Sequence, residues 1–263
     1  MHKLGVNYFE PWNIPAEDCV RLYRDIGFDA MFTCYYGDTA AMKPFAEACA
    51  KHGLWYECIH APFGHMNDIW LPGERGDAML RELTDCVKTC GELGVPKAVI
   101  HLSSGDHPPC VNDLGHARYD RLVETAVKSG VTLAFENQRK LANLAFVFEL
   151  YEDVPQVRFC WDLGHEACFA YGREFMPLFG DKLVYTHIHD NLQVHDGDLH
   201  MLPFDGSIDF ARRAYHLREH NYQGTLTLEC LPDHSDRYPD VTPEEFYRRA
   251  YQAVSRFRDL VEA

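Results

Sequence analysis

Residues 132–165 read TLAFENQRKLANLAFVFELYEDVPQVRFCWDLGH. Two apolar runs, Thr132–Asn137 and Val157–Leu163, bracket a weaker, helix-like stretch, Leu141–Asp153. Both runs are rich in Val, Leu and Phe, as strands covered on both faces should be. Each closes on an acid, Glu136 in the first and Asp162 in the second. Strand, helix and strand in this order make a crossover unit, which implies a parallel sheet.

The same unit repeats in both directions. Six further strand candidates are Leu4–Phe9, Asp29–Tyr35, Leu54–Ala61, Lys97–Ser103, Leu183–Asp190 and Thr225–Cys230. Helix candidates Pro15–Gly27, Thr39–Gly53, Glu74–Gly94 and Asp113–Gly130 all end on glycine, which suits the left-handed residue just past a helix. Ser207–Asn221 and Thr242–Val261 open with N-terminal chemistry, and Glu166–Gly180 reads as one or two short helices. Eight units at one per about 33 residues is the pace of a (β/α)8 barrel, a fold of about 250 residues in one domain. The expectation is therefore α/β, a single (β/α)8 TIM barrel over residues 1–263. An open doubly wound sheet would carry a Gly-rich phosphate loop after its first strand. The segment NYFEPWN at 7–13 has none.

Composition narrows the function. The formal charge is -15, with 40 acidic against 25 basic residues, and no Lys/Arg run offers a groove for nucleic acid. Ten cysteines form no CxxC pair, and several sit in strand-like runs, as reduced, buried thiols do. No apolar stretch approaches the roughly 18 residues of a membrane span. A cytoplasmic protein with no membrane contact and a possible homo-oligomeric state is expected.

Chemistry-bearing residues gather where the strands end. His60 closes the third strand, His101 the fourth, Glu136 the fifth and Asp162 the sixth, with His165 just beyond. The seventh carries His187 and His189, its loop Asp198 and His200, and the eighth ends in Glu229. In a barrel these positions share one mouth. A lone histidine or aspartate there is more often a hydrogen-bonded or capping residue. Buried carboxylates such as Glu136 and Glu229 demand partners, and six consecutive strand ends of this kind point to a metal. Nitrogen and oxygen donors without thiolate suit Zn, Mn, Fe or Co, and bridging carboxylates allow one to three ions.

Eight motifs carry a resemblance that spans nearly the whole chain: HAPFG at His60, VIHLSSG around His101, AFEN at Glu136, WDLGH at Asp162, HIHDN at His187, DLH at Asp198, LPFDGSIDF from Leu202 and LTLEC at Glu229. Together they resemble the xylose-isomerase-like barrel superfamily, with two branches in view. One is the sugar phosphate isomerase/epimerase group. Its resemblance implies a divalent metal, Zn or Mn, held by Glu136, Asp162, His187 and Glu229, with His189 as the second choice on the seventh strand. The other is the endonuclease-IV-type AP endonucleases. That resemblance implies three zinc ions: His60, His101 and Glu136 for one, Glu136, Asp162, His187 and Glu229 for the next, and His165, Asp198 and His200 for the third.

The first branch implies an isomerase or epimerase working on a small carbohydrate, a sugar, sugar phosphate or polyol, by proton transfer through a metal-stabilised enediolate. Glu136 and Glu229 would be the catalytic acid/base pair, and His165 and His189 would hold substrate. Trp12, Phe63 and Trp70 are candidates for an apolar wall at the mouth, although packing is the commoner role of such rings. Arg139, Lys140 and Arg237 could meet an anionic group, with solvated surface charge as the simpler reading. Ala142 and Gln193 stand where ketose epimerases place an acid and an arginine, and Phe204 and Asp205 depart from the usual segment. The alternative is a phosphoesterase or AP endonuclease-like hydrolase with a multinuclear zinc site. A barrel that binds without turnover is the third reading, and the paired Glu136 and Glu229 weigh against it.

Overall fold

The computed structural model describes residues 1–263 and shows eight parallel strands ringed by helices. The strands are β1 (Leu4–Asn7), β2 (Ala30–Cys34), β3 (Trp55–His60), β4 (Lys97–Ile100), β5 (Thr132–Glu136), β6 (Val157–Asp162), β7 (Leu183–His187) and β8 (Leu226–Leu228). The helices are α1 (Ala16–Ile26), α2 (Thr39–His52), α3 (Glu74–Leu93), α4 (Asp113–Ser129), α5 (Leu141–Leu150), α6 (Leu163–Phe169), α7 (Met176–Phe179), α8 (Phe210–Glu219) and α9 (Pro243–Glu262). At least one helix follows every strand, and β6 is followed by two short ones.

Strand order runs β7-β6-β5-β4-β3-β2-β1-β8. One parallel bridge, Ile188 to Leu228, joins the two ends and closes the ring. Its bonds are Ile188 N–H to Thr227 O at 2.9 Å and Glu229 N–H to Ile188 O at 3.1 Å. The result is a single (β/α)8 barrel.

Local chemistry sets the helix ends. Asp38, Asn112, Asp209 and Thr242 accept N–H bonds from the first turns of α2, α4, α8 and α9. Helix α8 starts at Phe210 rather than Ser207 because Asp209 is the residue that caps it. Gly94 and Gly130 follow α3 and α4 in left-handed conformations, φ 71° and 68°. No helix is long and apolar enough to cross a membrane. All ten cysteines are free thiols.

Two apolar layers hold the barrel. The larger lies between sheet and helices, and includes Leu83, Tyr119, Phe135 and Phe246. The smaller fills the barrel interior with Phe32, Cys58, Val99, Ala134, Cys160 and Tyr185, one residue from each of β2 to β7. Side chains on a strand return to the same face every second residue. Two residues beyond each interior residue stand Cys34, His60, His101, Glu136, Asp162 and His187. The polar floor of the mouth is thus the next storey of the same barrel core.

Candidate metal centre

Glu136 occupies the middle of that floor and is almost completely buried. Its Oε2 lies 2.8 Å from His101 Nε2 and 3.3 Å from His60 Nε2. Its Oε1 lies 3.1 Å from His165 Nδ1 and 3.3 Å from His187 Nδ1. His187 Nδ1 is also 3.2 Å from Glu229 Oε2 and 3.9 Å from Asp162 Oδ2. A second focus forms around Asp198, whose Oδ2 lies 3.3 Å from His165 Nε2 and 3.2 Å from His200 Nε2.

Donor atoms therefore converge in three overlapping sets, each within 4.8 Å of one another. They are His60, His101 and Glu136; Glu136, Asp162, His187 and Glu229; and His165, His189, Asp198 and His200. All nine residues expected as ligands from the sequence are brought together. His189 joins the third set and is wholly buried. Its ring stacks on His200 at 4.0 Å, and its Nε2 lies 3.1 Å from Asp162 Oδ1. That position places it beneath the cavity surface, away from the substrate contact expected of it.

The chemistry of these groups fits a divalent cation. His60 Nδ1 donates to Ala61 O and His200 Nδ1 donates to Glu229 O, both at 2.8 Å. A carbonyl only accepts, so the proton sits on Nδ1 and each Nε2 turns a lone pair toward a carboxylate. Lone pair facing carboxylate is repulsive unless a proton or a cation lies between them. Asp162 Oδ1 is fully engaged by His165 N–H at 2.6 Å and by His189, whereas its buried Oδ2 has no partner. Asp198 Oδ1 is also buried without one. Both oxygens are placed to accept from a cation.

Burial would raise Glu136, but His101, His187 and His165 around it hold its carboxyl well below the usual carboxylate range. Glu229 and Asp198 are likewise lowered against the effect of burial, by His187 and by His200 with His165. Burial disfavours charge on His187 and His200, yet their carboxylates prevail and push them up to about 10 and about 9. His165 rises well above its usual value for the same reason. His101 moves the other way, because burial outweighs the pull of Glu136. Histidine protons and a cation would therefore compete for the same carboxylates.

Above the floor lies a cavity of ≈ 540 Å³. His60, His101, Glu136, His165, Asp198, His200 and Glu229 form its polar lining and Tyr8, Phe32, Phe63, Phe169 and Leu231 its apolar lining, with Phe63 stacked on His101 at 4.7 Å and the Phe169 ring 5.1 Å from that of His165. Trp12 and Trp70 are absent from this lining. Trp12 packs edge-on against Phe9, Phe246 and Tyr247. Trp70 is buried over Gly115 in α4 and donates Nε1–H to Leu102 O at 2.8 Å. Both are packing residues, and Phe63 alone of the three aromatic candidates reaches the mouth.

Three further residues support the site; Asn137 and Asp190 lie within the AFEN and HIHDN motifs, whereas Gln138 carried no sequence signal. Gln138 places its amide nitrogen 3.3 Å from His101 Nε2 and 3.0 Å from His165 Nδ1. Asn137 grips the backbone of Asp162 through two 2.8 Å bonds. Asp190 accepts from the backbone N–H of Asn191, Phe204, Gly206 and Ile208, and so shapes the loop that delivers Asp198 and His200.

Comparison with known proteins agrees with this architecture. The chain is 28% identical over 195 residues to the protein y4fM of Sinorhizobium fredii, covering 68% of this chain and 60% of that relative's length. Its structure is similar to that of a 3-keto-D-glucoside 4-epimerase from E. coli, with TM-score 0.75, 17% identity and 98% and 100% of the two chains covered. It is similar also to a D-psicose 3-epimerase from Clostridium cellulolyticum H10, with TM-score 0.79, 15% identity and 99% and 100% covered. At such identities the likeness is one of fold. Residues 20–255 match the family described as xylose isomerase-like TIM barrel, and the chain belongs to that family.

Proposed function

We propose that this protein is a metal-dependent epimerase or isomerase acting on a small carbohydrate, and that Glu136 and Glu229 handle the proton. One observation carries the reading: the two carboxylates stand 3.3 and 3.2 Å from the same His187 nitrogen and line one sugar-sized cavity. The epimerase activities of the two structural neighbours support it.

Glu136, Asp162, His187 and Glu229 would hold the cation, and its charge would stabilise negative charge on the substrate oxygen beside the reacting carbon. One carboxylate takes the proton from that carbon, and the other delivers a proton to the opposite face or the neighbouring carbon. The cation they share with His187 would keep both ionised. Phe32, Phe63 and Phe169 cover the carbon face of the sugar and exclude water from the proton in transit.

A second reading has its own observation. Both oxygens of Glu136 face imidazoles, two on each, as in a carboxylate that bridges metals, and a third donor set stands beside them. A bridging carboxylate is a weak base, and several cations suit hydrolysis of a phosphate ester.

One experiment separates the two. Metal-loaded protein is incubated in D2O with D-psicose, D-fructose and a 3-keto-glucoside, and deuterium entering next to the carbonyl is followed by NMR. Parallel samples receive phosphate monoesters and duplex DNA with an abasic site. Deuterium uptake supports the epimerase reading. Phosphate release or nicking without uptake transfers the function to hydrolysis.

A further inference from the structure

Arg139 is the one lysine or arginine in the cavity lining. Its side chain is only 17% exposed, and the guanidinium lies over the Phe169 ring at 3.7 Å. Nε and Nη2 of an arginine point the same way and make a fork that matches the two oxygens of one carboxylate or phosphate. Here the fork is divided. Nη2 donates to Asp196 Oδ1, whereas the nearest acid to Nε, Asp106 Oδ1, is 3.6 Å away. Nε is buried and makes no hydrogen bond. A buried guanidinium donor without a partner asks for an acceptor.

The neighbours make exchange feasible. Asp196 is 54% exposed, on the loop after β7. His195 Nε2 lies 3.1 Å from Asp106 Oδ2 and 3.7 Å from Asp196 Oδ2, so Asp106 keeps a hydrogen-bond partner and half-exposed Asp196 can turn to solvent if Arg139 turns to a ligand. Tyr171 stacks on His195 at 4.7 Å and holds that ring.

We propose that the fork of Arg139 receives an anionic substituent of the substrate, a carboxylate or a phosphate, and that Asp196 holds its place until the substrate arrives. This rests on the carbohydrate reading above and narrows it to acidic sugars. The guanidinium stacked on Phe169 bears one permanent charge, so it selects substrates with one such group on the Phe169 side of the cavity.

The test is calorimetric titration of the metal-loaded protein with D-fructose, D-fructuronate and D-fructose 6-phosphate. The wild-type protein binds at least one acidic sugar about tenfold more tightly than D-fructose. The uronate and phosphate arms tell which anion the fork takes. Arg139→Gln brings the ratio close to one, and Arg139→Lys, which keeps the charge and loses the fork, falls between. Asp196→Asn removes the competing acid and raises the ratio. A wild-type ratio near one, or a ratio that survives in Arg139→Gln, overturns the proposal. A ratio that falls in Asp196→Asn overturns the place-holding role. Melting curves of the variants establish that each is folded. Deuterium uptake without an acid preference removes this proposal alone, and acid preference without uptake removes the epimerase reading alone.

Discussion

At the N-terminal end of the barrel, Glu57 meets the Lys97 ammonium at 2.6 Å, and that lysine also lies over the rings of Trp55 and Tyr185. At the C-terminal end, Glu136 meets four imidazoles and no lysine or arginine. Both carboxylates are about 1% exposed, and the same apolar interior layer separates them. A permanent cation neutralises the first. Groups whose charge depends on pH neutralise the second, and under the proposed function that end would exchange protons for a cation. The difference sets a buried acid with one fixed partner against a buried acid whose partners titrate.

Glu136→Gln breaks the comparison most severely. Turnover should fall about a thousandfold, and metal per chain, measured by elemental analysis, should drop with it. Full activity in this variant would remove Glu136 from the mechanism. Lys97→Met probes the other end. It leaves Glu57 buried and unpaired, so urea unfolding should show a loss of about 3–5 kcal/mol with metal content unchanged. A loss of metal instead would mean that the two ends are not separate.

Gly164→Ala sharpens the contrast within the mouth. A Cβ there would sit 1.9 Å from His189 Cε1, so the ring must leave Asp162. Chelator competition should show metal affinity weaker by about 10–100-fold. An unchanged affinity would make His189 a bystander.

The pH response completes the series. His187 and His200 are raised from an ordinary value near 6.5 to about 10 and about 9 in the metal-free chain. Their stabilisation is fully present below that ordinary value and is lost as pH rises through 9 to 10. Melting of the metal-free protein should therefore fall from neutral to alkaline pH. Metal must displace those protons, so its affinity should rise over the same range, by about tenfold per pH unit for each proton released. Calorimetry in buffers of different ionisation heat counts the protons. Zero release would contradict the assigned charges.

Much of this was legible in the chain. Acids and histidines at the ends of runs such as TLAFE and VRFCWD located the floor, because strand periodicity carries interior residues into the mouth. The boundaries were less so: β8 extends only from Leu226 to Leu228, since Thr225 and Glu229 lie where the strand meets its loops. Trp70 misled because ring chemistry does not reveal which side of the sheet a loop returns to, and the segment after β3 folds back over α4. His189 shares a periodicity with His187, but β7 has ended by then and the chain turns its ring behind Gly164. Gln138 drew no reading, and Arg139 was left between an anion contact and solvated charge, because their partners, on the loops after β4, β6 and β7, are distant in sequence.

The barrel is a hoop fastened by one clasp, the bridge from Ile188 to Leu228. The residues beside that clasp, His187, His189 and Glu229, all belong to the donor sets. Opening the hoop there would pull these donors apart. The amide hydrogens of Ile188 and Glu229 should exchange with solvent slowly while a cation is held and quickly once it leaves, so that the fastening of the barrel reports the loading of its site.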